Sequence, residues 1–204
     1  LPPTYKVAQV PNKIKMKNMN LNRLILILTC ITFFTVISDA QSYANMQHDV
    51  KVVDSKAVVT ATIYAEKNLG KRLGVNAYSL LTEGWAEVLI GPYYKINDAI
   101  TFGVQIGMET AGTNLRYGAS VTYFGIKASC LIFLEKGQGA NNYFYSAAYN
   151  YQPKKLIYGI LAQRTYGVGP TIGYPIKDIT IKFAPLYDFE VKKFQPTLFL
   201  KWVL

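Results

Sequence analysis

The sequence predicts an all-β fold: an antiparallel up-and-down transmembrane β-barrel of about 12 strands, with ten as the alternative, preceded by a signal peptide. Three observations predict it. Half of the 204 residues are hydrophobic and 14% are aromatic, yet only 17% are charged, below the roughly 25% of ordinary soluble domains. From Ser55 to Leu204 the chain divides into apolar-rich runs of about ten residues separated by turn residues. Within those runs one face is small, polar or charged, and the other is aliphatic or aromatic.

Residues 1–40 read as an upstream extension plus a removable signal. Met16 or Met19 is a natural start, Lys17 and Arg23 form a basic region, Leu24 to Ile37 is uncharged and mostly apolar, and Ser38-Asp39-Ala40 supplies small residues before Gln41. A spanning helix needs about 20 apolar residues, and this run is shorter. Residues 1–40 hold five of the 22 basic and one of the 12 acidic residues, which leaves 17 and 11. These remaining charges are scattered, so the clustered basic patch of a nucleic-acid binder is missing and no nucleic acid is expected.

Residues 41–54 form an N-terminal segment with a short first strand near Asp49–Val53, turning at Asp54-Ser55. The barrel proper, 55–204, holds strands at 56–67, 71–82, 85–96, 99–110, 115–124, 127–136, 142–151, 155–165, 167–176, 179–190 and 195–204. Each is long enough to cross a bilayer at a tilt, which takes about 9–11 residues. Ile90-Gly91-Pro92 and Tyr166-Gly167-Val168-Gly169-Pro170 read as bends or bulges.

The hairpin at Gly112-Thr113 sorts cleanly when Glu109 stands opposite Arg116. Gly107, Gln105 and Gly103 then share a face with Gly118, Ser120 and Thr122, while Met108, Ile106, Val104 and Phe102 share the other with Tyr117, Ala119, Val121 and Tyr123. A one-residue slip would mix the faces. Around Gly125-Ile126 the same sorting places Arg116 opposite Glu135; around Lys177-Asp178 it places Gly173 opposite Lys182 and Tyr174 opposite Ile181. A secreted soluble barrel of lipocalin type would turn the apolar face inward. The wealth of Gly, Ser, Thr and paired charges on the polar face suits a crowded interior instead. Tyrosines such as Tyr117, Tyr123, Tyr143, Tyr149 and Tyr174 on the apolar face suit aromatic girdles. Connections near 191–194, 137–141 and 111–114 read as longer than those at 177–178, 153–154, 125–126 and 97–98. That contrast puts Leu204 at the end with short turns.

In this pattern of signal peptide and amphipathic strands, the chain resembles the small outer-membrane β-barrel proteins of Gram-negative bacteria. The resemblance covers essentially the whole chain after the signal. It implies residence in the cell outer membrane, contact with outer-membrane lipid, and recognition by the barrel-assembly machinery through the C-terminal strand. That strand, Phe194 to Leu204, ends in Leu204 where such barrels usually end in an aromatic residue; Trp202 stands two residues earlier.

The chemistry is sparse. His48 is the only histidine and precedes the main strand series, so no catalytic residue, metal ligand or cofactor site is expected and the protein reads as a non-enzyme. Cys130, in an apolar run, reads as a small buried or lipid-facing residue. Glu109, Arg116 and Glu135 form a charge ladder across three strands, facing the lumen. Lys182, Asp188 and Glu190 are expected to line another interior sector, while Glu87 and Arg164 can be assigned to neither face. The expected function is a narrow porin-like channel for small solutes, with a closed structural or binding barrel as the alternative.

Overall fold

In a computed structural model the described residues are 42–110, 115–138 and 142–204; the expected signal peptide lies outside them. Twelve strands follow one another: β1 (Ser42–Val53), β2 (Lys56–Asn68), β3 (Leu73–Thr82), β4 (Trp85–Lys95), β5 (Ile100–Glu109) and β6 (Leu115–Phe124), then β7 (Ala128–Gly137), β8 (Tyr143–Tyr151), β9 (Ile157–Gln163), β10 (Gly167–Ile176), β11 (Ile179–Asp188) and β12 (Lys193–Val203). Each pairs antiparallel with its neighbours, and β1 pairs with β12, so the sheet closes into a barrel. Among the described residues there is no helix. The first strand is twelve residues long, against the short Asp49–Val53 expected. Its seam with β12 runs from Asn45↔Val203 to Lys51↔Thr197, so no strand edge is left unpaired.

Alternation decides what each face does. Ile106, Met108, Tyr117 and Leu134 point outward and are each about half exposed, whereas Glu87, Glu109, Arg116 and Glu135 point inward and are buried. This is the inverse of a soluble lipocalin-type barrel, and that alternative falls. Cys130 faces outward between Tyr123 and Tyr149.

Two hairpins differ in register from the sequence reading. Arg116 stands opposite Gly107, not Glu109, and opposite Gly137, not Glu135. Both shifts are of two residues. A side chain keeps its face under a two-residue shift, so the polar and apolar sorting that guided the reading cannot detect one. The β10–β11 register, Gly173 with Lys182 and Tyr174 with Ile181, is as read.

The supposed bulges are not bulges. The β4–β5 register is the same on both sides of Gly91-Pro92, with Ile90↔Ile106 and Tyr93↔Gly103. The β10–β11 register is likewise unchanged from Val168↔Tyr187 to Ile172↔Phe183. Glycine serves close approach instead: a Cβ on Gly91 would lie 1.9 Å from the Val104 carbonyl oxygen, and one on Gly107 would lie 1.8 Å from that of Val88. Nor do loop lengths separate the two ends. Both ends mix connections of two residues with connections of five, because β3, β5 and β9 begin later than read, at Leu73, Ile100 and Ile157. At the β1–β2 turn, Asp54 and Ser55 both take positive φ (49° and 62°), the geometry of the two-residue hairpin that matches strand twist. The end that carries Leu204 and the start of β1 is called the terminal end below, and the other the distal end.

Candidate functional site

The lumen is organised in layers, and the distal layer is ionic. Arg116, the second residue of β6, points inward. Its ladder partners on both sides, Gly107 and Gly137, have no side chains, which clears wall space for the guanidinium. Glu87 and Glu109 are ladder partners in β4 and β5, and Glu135 stands opposite Gly118 in β7. The guanidinium reaches all three diagonally: Nε lies 2.9 Å from Glu87 Oε2, Nη1 2.9 Å from Glu109 Oε2, and Nη2 2.8 Å from Glu135 Oε2. Arg116 Nη1 also donates to Asn142 Oδ1 at 2.7 Å, and Trp85 Nε1 donates to Glu109 Oε2 at 3.0 Å. All four charged residues are more than nine-tenths buried. Burying them costs several kcal/mol per ion, and only such pairing and hydrogen bonding offsets it.

Below this knot lies an apolar layer. Leu89, Phe133 and Phe199, near the middle of their strands, and Leu161 and Leu186, nearer the distal ends of theirs, all point inward and are buried. Tyr78 of β3 meets Phe133 of β7 edge-on, ring centroids 5.3 Å apart, so the layer crosses the lumen. Its last member is no strand residue. Tyr166 belongs to the β9–β10 turn, which folds inward and stacks its ring on Phe199 at 6.3 Å. Thr165 takes φ 70° to make that turn and Gly167 takes φ 108°; a β-branched residue there is strained by about 1–3 kcal/mol. Lys51 of β1 holds the turn in place. Its Nζ donates to the Thr165 carbonyl at 2.8 Å and lies 4.5 Å from the Tyr166 ring centroid. The Tyr166 hydroxyl lies 3.4 Å from Asp49 Oδ2.

Water reaches the lumen from both ends but stops at this layer. On β7, inward-facing Leu131 is 37% exposed, whereas Phe133, two residues nearer the distal end, is 8% exposed. At the distal end a cavity of about 270 Å³ is lined by Trp85, Glu109, Arg116, Phe144 and Tyr166, among others. The terminal half is polar: Asn76 accepts from Gln105 at 3.2 Å, and Lys182 Nζ donates to Asn150 Oδ1 at 2.7 Å.

Lys182 and Asp188 therefore lie on the inner face, Asp188 buried and accepting from Gln195 Nε2 at 2.8 Å. Glu190 does not line the lumen. The Asp188 carboxylate captures the Glu190 backbone N–H at 2.8 Å and ends β11 there, which leaves Glu190 exposed on the distal rim, 3.2 Å from Arg164. Arg164 is a turn residue, its guanidinium over the Tyr143 ring. His48 lies on the outer face, edge-on to Trp202 at 5.3 Å. The sequence reading missed Glu87, Asp49, Lys51 and Tyr166. Continuing the alternation back from Tyr93 would have found Glu87, but inward Leu89 and Tyr93 make both faces of β4 apolar and erase the signal.

No protein-family model matches the chain, and no curated protein matches it in sequence. Solved structures do match in fold. A structure described under the mechanism of in-meso crystallization of membrane proteins aligns with a TM-score of 0.57 and 11% identity, over 79% of this chain and 83% of the other. Outer membrane phospholipase A from Escherichia coli aligns with a TM-score of 0.50 and 9% identity, over 79% and 89%. The KdgM porin aligns at 0.48 and 9% identity, over 78% and 98%. The likeness is one of fold: a closed antiparallel β-barrel, as in outer membrane phospholipase A.

Proposed function

We propose that this barrel is a narrow channel for small solutes, shut in the conformation described. One observation carries the reading: two water-reached polar halves of the lumen are separated by a single apolar layer, Leu89, Phe133, Leu186, Phe199 and Tyr166. Hydrophobic constrictions of this kind gate pores by excluding water. A barrel with a purely structural role has no need of polar chambers on both sides of its seal. The protein is not an enzyme on this reading, because its one histidine faces outward beside Trp202 and the three clustered carboxylates of the lumen, Glu87, Glu109 and Glu135, are committed to Arg116.

Single-channel recording on refolded protein in planar bilayers tests this. The wild type is expected to be mostly silent with brief openings, and Phe133→Ala and Leu89→Ala, which thin the layer, are expected to open more often. The permanently closed barrel is the second reading, favoured by the 0% exposure of Leu89 and Leu186. Folded but silent Phe133→Ala and Leu89→Ala proteins would establish it.

A further inference from the structure

The balance of lumen charge changes sign along the barrel axis. In the distal half, Asp49, Glu87, Glu109, Glu135 and Asp188 are all buried inward-facing carboxylates, against four inner-face cations: Lys51, Arg116 and, at the exposed rim, Lys56 and Lys193. The terminal half has the opposite sign. Lys95, Lys182 and Lys201 face inward there, and Glu66 is the one inward carboxylate among the described residues. Lys95 and Lys182 are held by neutral amides, donating to Asn68 and Asn150 at 2.7 Å each, so their charges are not cancelled by an ion pair. The five terminal-end turns extend the trend. They carry Lys71, Arg72, Lys127, Lys154, Lys155 and Lys177 against Asp98 and Asp178. The distal turns carry Asp54, Glu83 and Glu190 against Arg164 and Lys192, and the residues outside the described segments between 42 and 204 are uncharged.

We infer that the lumen is a two-signed passage, anion-accepting from the terminal end and cation-accepting from the distal end, whose favoured solute is a small zwitterion. The inference rests on the channel reading above. A singly charged ion meets an attractive half and then a repulsive one, whichever way it travels. A zwitterion can turn its carboxylate or phosphate to the lysines and its ammonium to the carboxylates. Two fixed-charge regions of opposite sign in series also pass ions more readily in one direction of applied voltage than in the other, because one polarity fills the junction with carriers and the other empties it.

The test is the current–voltage curve of single channels of the full barrel, in the wild type and in the Phe133→Ala variant. At about 0.1 M salt, where charges act over about 10 Å, the current should be unequal at opposite voltages; at about 1 M, where they act over about 3 Å, the curve should become symmetric. Lys182→Gln/Lys201→Gln should abolish most of the asymmetry at low salt. In swelling of protein-loaded liposomes, glycine should enter severalfold faster than acetate or methylammonium ions. A symmetric curve at low salt, an asymmetry untouched by the lysine changes, or faster entry of either singly charged ion would overturn the two-signed passage and leave the channel standing. Silence in every variant would overturn the channel, and this inference with it.

Discussion

Glu87 and Glu109 stand directly opposite each other in the β4–β5 ladder, a placement that by itself is destabilising. Arg116 makes it tolerable by lying 2.9 Å from a carboxylate oxygen of each. Removing the guanidinium strands three buried carboxylates.

Arg116→Ala should therefore cost stability on the scale of a broken buried ion pair, about 3–5 kcal/mol, less whatever a wet cavity returns. Denaturant unfolding in lipid vesicles measures it. Arg72→Ala, in a turn where Nη1 makes only a 3.4 Å contact with the Tyr94 hydroxyl, should be close to neutral. Adding Glu87→Gln, Glu109→Gln and Glu135→Gln to Arg116→Ala should recover much of the loss. An unfolding midpoint equal to wild type in Arg116→Ala would show that the knot does not hold the barrel together.

The inward turn at Thr165 and Tyr166 is strained and depends on its latch. Lys51→Met removes the donor to the Thr165 carbonyl and the cation over the Tyr166 ring. It should raise the frequency of channel opening and expose residues 164–166 to added protease. Tyr166→Ala should do so more strongly, because the ring stacked on Phe199 goes with it. Cleavage and opening rates identical to wild type in both variants would mean that the turn does not move.

Gly107→Ala should disrupt folding, since its Cβ would lie 1.8 Å from the Val88 carbonyl oxygen and backbone cannot yield as a side chain can. Overpacking costs about 1–3 kcal/mol where neighbours adjust, and a backbone clash should exceed that. Gly70→Ala, with nothing within 4 Å of its Cβ, is the matched control. Heat-modifiable migration on gels reads out the folded fraction of each.

Membrane fractionation of the producing cell should place the folded protein with the outer membrane, and N-terminal sequencing should begin at Gln41. A soluble product, or a chain that keeps residues 24–37, would contradict both expectations.

How far the sequence could be read depended on what each face had to do. The outer face must be apolar everywhere, so strand positions, strand count and inside–outside sorting were legible from alternation, as at Met108, Ile106 and Val104. Within the lumen polarity is free to vary. Leu89 and Phe133 break the pattern there, and Glu87 was lost among them. Registers were legible only to the nearest two residues, because Arg116 faces inward whether it stands opposite Glu109 or Gly107. Glu190 was placed inside by extending an alternation beyond the point where Asp188 terminates the strand. Tyr166 was hidden for another reason: a turn that folds into the lumen has no period to betray it.

The β1–β12 seam joins the first described strand to the last. Every other strand pair forms between neighbours in the chain and can zip as soon as its turn closes. Seam contacts such as Asn45 with Val203 and Lys51 with Thr197 require ends separated by nearly the whole barrel to meet. Loop-closure entropy rises only slowly with length, but the reward for closing it is withheld until all twelve strands are present. The chain thus has no stable smaller barrel to rest in during biogenesis, and until the seam forms it exposes two unpaired edges. An assembly factor that templates β12 would occupy the edge that β1 must later claim, so release and closure become a single event: strand exchange at Thr197 to Val203.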